Sequence, residues 1–128
     1  VLELTRQQSV KNVTERLQEW QDICSINDII PNTGVCALVK GKQIAIFRVG
    51  KDDNIYALSN YDPFSKAYVL SRGIIGDKLG KVKVASPIYK QNFDLETGQC
   101  LDDENIQIPI FPVRLMGDRI LLDVTTLI

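Results

Sequence analysis

Short segments of alternating polarity, separated by turn residues, run through most of the chain and restrict it to a small set of folds. Lys81–Ala85 alternates strictly between polar and apolar residues, which places one face of a strand in solvent and the other against a core. Apolar segments also flank two short connections, Lys40-Gly41-Lys42 and Gly117-Asp118, and each contains the glycine that a hairpin turn favours. The pattern predicts an all-β domain, an antiparallel sandwich or small barrel.

The N-terminal segment has a different pattern. Apolar side chains recur there at the helical spacings of three and four: Val10, Val13, Leu17 and Trp20. Thr5 and Gln8 resemble a capping box, and together these signals predict a helix from about residue 6 to residue 19. We therefore divide the chain into a helical arm, residues 1–19, and a β domain, residues 20–128. The arm lies on the surface of its own domain, docks on another chain, or frays.

The absence of histidine limits the chemistry that the chain can perform. Its 128 residues contain no histidine, so Ser-His-Asp and Cys-His catalysis are excluded, as are the common zinc sites that need imidazole. The cysteines Cys24, Cys36 and Cys100 have no C-x-x-C spacing and are one fewer than an all-cysteine iron–sulfur cluster requires. A zinc site of three cysteines and one aspartate is the alternative to three free thiols in a reducing compartment, which we favour.

Charge and hydropathy exclude two classes of partner. The chain has 15 Lys and Arg residues against 16 Asp and Glu residues, a net charge of −1, so nucleic acid and anionic lipid are not the expected partners. No apolar run approaches the roughly 20 residues of a membrane helix, and no basic segment leads into an apolar signal core. We expect a cytoplasmic protein that binds neither nucleic acid nor membrane.

Two loops and the strands around them carry a resemblance to a known family. The first loop reads Asn60-Tyr61-Asp62-Pro63-Phe64 and is followed by Leu70-Ser71-Arg72-Gly73. The second begins Ser86-Pro87-Ile88-Tyr89 and is followed by Phe93-Asp94 and Thr97-Gly98. This framework resembles the Rieske ferredoxin family, whose loops read N-x-C-P-H and C-P-x-H and are followed by L-S-x-G and F-D-x-x-T-G. The resemblance implies a Rieske-like antiparallel β fold in which a smaller subdomain carries both loops.

The four cluster ligands of that family are all replaced. Asp62 and Phe64 stand at the positions of the first Cys and His, and Ser86 and Tyr89 stand at those of the second pair. Carboxylate, hydroxyl and phenol are hard oxygen donors, whereas an iron–sulfur cluster takes thiolate and imidazole. Phe64 has no donor at all. We therefore predict the fold without a [2Fe-2S] cluster, with no metal site and no catalytic residue in this chain.

A closer resemblance is to one branch of the family, the small subunits of bacterial assimilatory NAD(P)H-dependent nitrite reductases. It covers nearly everything from Glu19 to Leu122, and similar segments include 20–24, 33–38, 43–48, 59–64, 69–75 and 84–87. The resemblance implies a cytoplasmic enzyme that reduces nitrite to ammonium. It also implies a large subunit that holds FAD, sirohaem and an iron–sulfur cluster, and a small subunit without a cofactor that acts by contact with it. The alternative is a free-standing, redox-inactive Rieske-like module that binds another oxidoreductase.

The replaced ligand positions suggest structural and partner-binding roles. Phe64 and Tyr89 either fill the space of the missing cluster together or remain exposed as anchors for a partner. Asp62 is expected to cap backbone N–H groups in an Asx-turn. Because loops on a rigid scaffold often carry binding function, we predict partner contacts at both loops. The residues concerned are Pro63, Phe64, Ser65, Pro87, Tyr89 and Lys90.

Overall fold

A computed structural model describes residues 19–127 of the protein. The predicted helix over residues 6–19 and the boundary of the arm therefore lie outside the described residues, except for Glu19. Within this span the chain forms twelve strands and two short 3-10 helices, Ile26–Asp28 and Leu70–Arg72. None of the helices in this span is long and apolar enough to cross a membrane.

The strands are numbered β1 to β12 in chain order. They are β1 Trp20–Ser25, β2 Thr33–Val39, β3 Lys42–Val49, β4 Asn54–Ser59, β5 Tyr61–Asp62, β6 Ala67–Tyr68, β7 Ile74–Lys78, β8 Lys81–Ala85, β9 Asn92–Asp94, β10 Ile110–Phe111, β11 Val113–Met116 and β12 Arg119–Asp123.

The strands assemble into four antiparallel sheets, which confirms the predicted all-β class. The largest has the order β10-β4-β3-β2, and a second has the order β1-β12-β11. A third sheet, β7-β8-β9, and the small hairpin β5-β6 carry the two loops of interest. Both predicted hairpins are confirmed, because Val39 pairs with Lys42 and Met116 pairs with Arg119. Lys40 and Gly41 both have positive φ, the conformation of a tight hairpin turn.

Strand β3 lies between two hydrophobic cores. Ile44 and Ile46 face the core that contains Ile120 and Leu122 of β12. Ala45 and Phe47 point to the opposite side, where the second core includes Val84 and Phe93 of the loop-bearing sheet. Alternate residues of a strand face opposite sides, and both sides are covered here, so all four β3 side chains are buried. The strand thereby joins the loop-bearing sheet to the rest of the domain.

Gly73 allows the first loop to return close to the second. It follows the 3-10 helix Leu70–Arg72 in extended conformation, with φ of −73°. A Cβ atom at this position would collide with the carbonyl oxygen of Ala85 and lie 2.5 Å from Cγ2 of Val84. Since Ala85 immediately precedes the second loop, the missing side chain at residue 73 sets how closely the two loop-bearing segments pack.

We expect Gly73→Ala to destabilise the domain by about 1–3 kcal/mol, the usual cost of overpacking a close contact. Gly76→Ala, three residues later in β7, is the matched control, because its Cβ would meet only the flexible end of Lys83, at 3.3 Å from Cε. Urea denaturation of both variants measures the difference. Equal stabilities would show that the backbone contact at residue 73 is not a constraint on packing.

Candidate functional site

A buried hydrogen bond joins the two loops that carry the family resemblance. Asp62 ends β5 and Ser86 follows β8, 24 residues later in the chain. The Ser86 hydroxyl donates to Oδ2 of Asp62 at 2.5 Å, and both side chains are fully buried. The bond holds residues 62–68 and 86–91 side by side, and we call these two segments the paired loops.

Further donors surround the Asp62 carboxylate. The backbone N–H of Phe64 donates to Oδ1 at 2.9 Å, which forms the predicted Asx-turn, and the Ser65 hydroxyl donates to Oδ2 at 2.8 Å. Burial raises the pKa of Asp62, but the hydrogen bonds from Ser86, Ser65 and the backbone outweigh it and hold the pKa below its usual value. Asp62 is therefore an ionised group that both loops stabilise.

The second loop closes on Ser86. The backbone N–H of Ser86 donates to the carbonyl of Gln91 at 2.9 Å, and that of Lys90 donates to the carbonyl of Ser86 at 3.1 Å. The Ser86 hydroxyl also accepts from the N–H of Ile88 at 3.4 Å. These bonds form a tight turn in which Ile88, Tyr89 and Lys90 are exposed. Ser86 thus fixes its own loop and ties it to Asp62.

Asn60 joins the two ends of the first loop. Its side chain is buried, and Oδ1 accepts from the backbone N–H of Ser71 at 2.7 Å. Its backbone carbonyl accepts from Leu70 at 3.2 Å, and its Nδ2 donates to Oε1 of Gln43 at 3.1 Å. Since Asn60 precedes the loop and Leu70-Ser71 follow it, this one residue holds the two ends together.

The two aromatic rings at the former histidine positions occupy different environments. Phe64 is half-buried, and its ring centroid lies 6.1 Å from that of Phe93 in the second core, at a tilt of 52°. Tyr89 is 61% exposed. The ring pairs formed by residues 19–127 do not include Phe64 with Tyr89. Phe64 therefore fills space in the domain, while Tyr89 projects from it.

The structure divides the six residues predicted to bind a partner. Pro63, Phe64 and Pro87 are half-buried, and Ser65 is engaged by Asp62, so these four shape the paired loops. Tyr89 and Lys90 are exposed.

Three exposed residues of the paired loops were not among the partner contacts predicted from the sequence. They are Lys66, Tyr68 and Ile88. Tyr68 is 56% exposed and packs on Tyr61, with ring centroids 5.1 Å apart. One sequence signal could have identified Ile88. It lies between Pro87 and Tyr89, in a segment without the alternation of a strand, so the pattern does not assign its side chain to a core.

The residues at the four ligand positions do not fit a Rieske-type cluster. Asp62 and Ser86 use their oxygen atoms on each other, Phe64 has no donor, and Tyr89 presents a phenol to solvent. The cysteines lie elsewhere: Cys24 in β1, Cys36 in β2, and Cys100 after β9. Burial raises the pKa of all three thiols, which disfavours the thiolate form that binds metal. Across the described span no three His, Cys, Asp or Glu side chains are grouped to hold a metal ion.

The sequence from residue 19 to residue 123 matches the model of one protein family, the Rieske-like [2Fe-2S] domain. The chain belongs to this family. It is 48% identical over 99 residues to the nitrite reductase (NADH) small subunit of Salmonella typhimurium, an alignment that covers 77% of this chain and 92% of that protein. The solution structure of the Escherichia coli protein NirD superposes with a TM-score of 0.76 at 45% identity, covering 82% of this chain and 96% of that one.

A further relative contains a similar domain within a much longer polypeptide. The NAD(P)H nitrite reductase large subunit of Klebsiella oxytoca is 40% identical to this chain over 101 residues. The alignment covers 79% of this chain and 10% of that protein. The domain therefore has relatives both as a separate small subunit and as a segment of a large subunit.

A double-mutant cycle measures the bond between the loops. We expect Ser86→Ala to cost about 1–3 kcal/mol of stability, because it removes a donor from a buried carboxylate. Combined with Asp62→Asn it should cost less than the sum of the single changes, with a coupling of about 0.5–3 kcal/mol. Ser65→Ala is the comparison for a bond that does not span the loops, because the half-buried Ser65 hydroxyl donates to the same oxygen of Asp62 from within the first loop. Strict additivity for residues 62 and 86 would contradict a direct bond.

The pH dependence of stability tests the charge of Asp62. Because its pKa is lower in the folded protein than in the unfolded chain, its ionised form stabilises the fold at pH values above about 4. This contribution is lost as the pH falls below that value. The difference in unfolding free energy between the unmodified protein and Asp62→Asn should therefore shrink between neutral pH and about pH 3. A difference that grows on acidification would assign Asp62 a raised pKa instead.

Proposed function

We propose that this chain is the small, non-redox subunit of a cytoplasmic nitrite reductase that uses NAD(P)H. In this role it binds the large subunit, which carries out the reduction of nitrite to ammonium. The observation that carries the proposal is the pair of relatives described above, one a separate small subunit and the other a large subunit that includes a similar domain. In both arrangements the domain stays beside the large subunit, so binding to that subunit is the function that they share.

The chain contributes no electron carrier in this proposal. The side chains at the four cluster-ligand positions offer an ionised carboxylate, a hydroxyl and a phenol, and the carboxylate and the hydroxyl are hydrogen-bonded to each other. Such a set does not hold a [2Fe-2S] cluster. The family resemblance assigns FAD, sirohaem and the iron–sulfur cluster to the large subunit. The contribution of the small subunit is to bind and position that subunit.

The paired loops form the surface that we assign to this contact. Tyr89, Tyr68 and Ile88 are exposed by 61%, 56% and 45%, and all three lie in the paired loops. Aromatic side chains are enriched in the centres of protein interfaces. Because the Asp62–Ser86 bond fixes the loops before binding, little conformational entropy is lost when the partner docks. Ser65, which serves Asp62, is not part of this surface.

Binding to the purified cognate large subunit tests the proposal. We expect a stoichiometric complex in light scattering coupled to gel filtration, and nitrite-dependent NAD(P)H oxidation by that complex. Tyr89→Ala should raise the dissociation constant about tenfold, which corresponds to a loss of about 1.4 kcal/mol in binding free energy. Met116→Ala, an exposed apolar change on the β11–β12 hairpin, is the control and should bind like the unmodified chain.

The outcomes separate the function from the surface. Failure to form any complex would overturn the proposed function and favour a module that serves another oxidoreductase. A complex that tolerates Tyr89→Ala would retain the function and place the contact elsewhere. Iron and acid-labile sulfide are measured on the same preparation of the small subunit. Stoichiometric amounts of both would contradict the non-redox role.

A further inference from the structure

We propose that the paired loops dock on an acidic face of the large subunit, with lysines steering the approach and exposed apolar side chains forming the centre of the contact. This inference rests on the proposed function and adds the chemical character of the partner surface. It is carried by the distribution of charge around the loops, by the ion pairs elsewhere in the domain, and by the placement of the exposed apolar residues.

The paired loops and the segment that follows the first of them expose only positive charge. Residues 60–75 and 85–91 include three basic side chains, Lys66, Arg72 and Lys90, and all three are exposed. The one carboxylate in these segments is Asp62, which is fully buried and surrounded by donors. The chain as a whole has a net charge of −1. Its charge is therefore segregated, and the surface assigned to docking is basic.

The charges at the loops are not neutralised within the described part of the domain. Five ion pairs form between residues 19 and 127: Lys40–Glu19, Arg48–Asp53, Lys78–Asp102, Lys81–Asp94 and Arg119–Asp22. None of them includes Lys66, Arg72 or Lys90. Among residues 19–127, therefore, no carboxylate pairs with any of these three cations.

The carboxylate near the base of the second loop is already engaged. Asp102 accepts from the backbone N–H of Asn92 at 2.7 Å and pairs with Nζ of Lys78 at 2.6 Å. These contacts lower the pKa of Asp102, with the Lys78 hydrogen bond as the largest cause. Asp102 is therefore paired with Lys78 and hydrogen-bonded to Asn92, and it is not the counter-ion of Lys66 or Lys90.

In each loop one lysine lies close in sequence to an exposed aromatic residue. Lys66 lies two residues before Tyr68, and Lys90 directly follows Tyr89. Lys90 is also held in place, because its Nζ donates to the carbonyl of Pro87 at 3.1 Å. Complementary charges at an interface raise the association rate, while a desolvated aromatic centre sets the lifetime of the complex. The matching face of the large subunit is accordingly apolar at its centre and acidic around it.

Association kinetics with the purified large subunit, measured over a range of salt concentrations, test this inference. Lys66→Glu with Lys90→Glu should lower the association rate constant about tenfold or more at low salt and flatten its dependence on ionic strength. The dissociation rate should change by less. Tyr89→Ala should do the opposite, raising the dissociation rate and leaving the salt dependence intact. Lys51→Glu, an exposed lysine in the β3–β4 turn, is the control and should leave the association rate almost unchanged.

Each result either supports or overturns the inference. A complex whose association rate ignores both salt and the lysine changes would overturn the acidic face and leave the proposed function standing. Absence of a complex would overturn the proposed function itself. If sedimentation shows the chain alone forming a dimer that Lys66→Glu with Lys90→Glu dissociates, the surface binds a second copy, whose Asp103 and Glu104 offer the matching charge, and the inference fails.

Discussion

A carboxylate with no exposed surface is stable only if hydrogen-bond donors replace the water that it has lost. Asp62 meets this requirement by taking donors from both loops, and the bond from Ser86 is the one that spans them. This bond connects turns that belong to separate hairpins. With it they form one surface, which the closed turn at Ser86 and the buried Asn60 support from either side. The arrangement of the candidate docking site depends on this bond, together with the packing of Phe64 on Phe93 and of Gly73 against Ala85.

The Asp62–Ser86 hydrogen bond joins the loops at two positions where Rieske ferredoxins carry cluster ligands. In a domain that binds a cluster, part of the folding free energy comes from metal binding, so stability depends on metal supply and redox state. Here the tie between the loops consists of side chains that are present in every copy. The space at one former histidine position is taken by Phe64, which packs on Phe93. The loops are thus fixed by the sequence itself.

Patterns that are local in the sequence predicted most of the fold. Alternation in Lys81–Ala85 and glycine in two short connections identified strands and hairpins, because both signals act over a few residues. The Asx-turn at Asp62 was predicted for the same reason. The bond from Ser86 was not, since no local rule connects residues that are 24 positions apart. The burial of aromatic residues in loops follows no periodicity either. The sequence therefore did not predict that Phe64 is half-buried and Tyr89 exposed.

The double-sided burial of β3 has a consequence for how the domain loses its structure. Ile44 and Ile46 belong to one core, and Ala45 and Phe47 belong to the other, within four consecutive residues of one backbone. Neither core can open while this strand stays in register with its neighbours. Regions that share such an element exchange their amide protons together, as one cooperative unit. The buried base of the loop-bearing sheet, at Val84 and Phe93, is therefore expected to keep its structure until the domain as a whole unfolds.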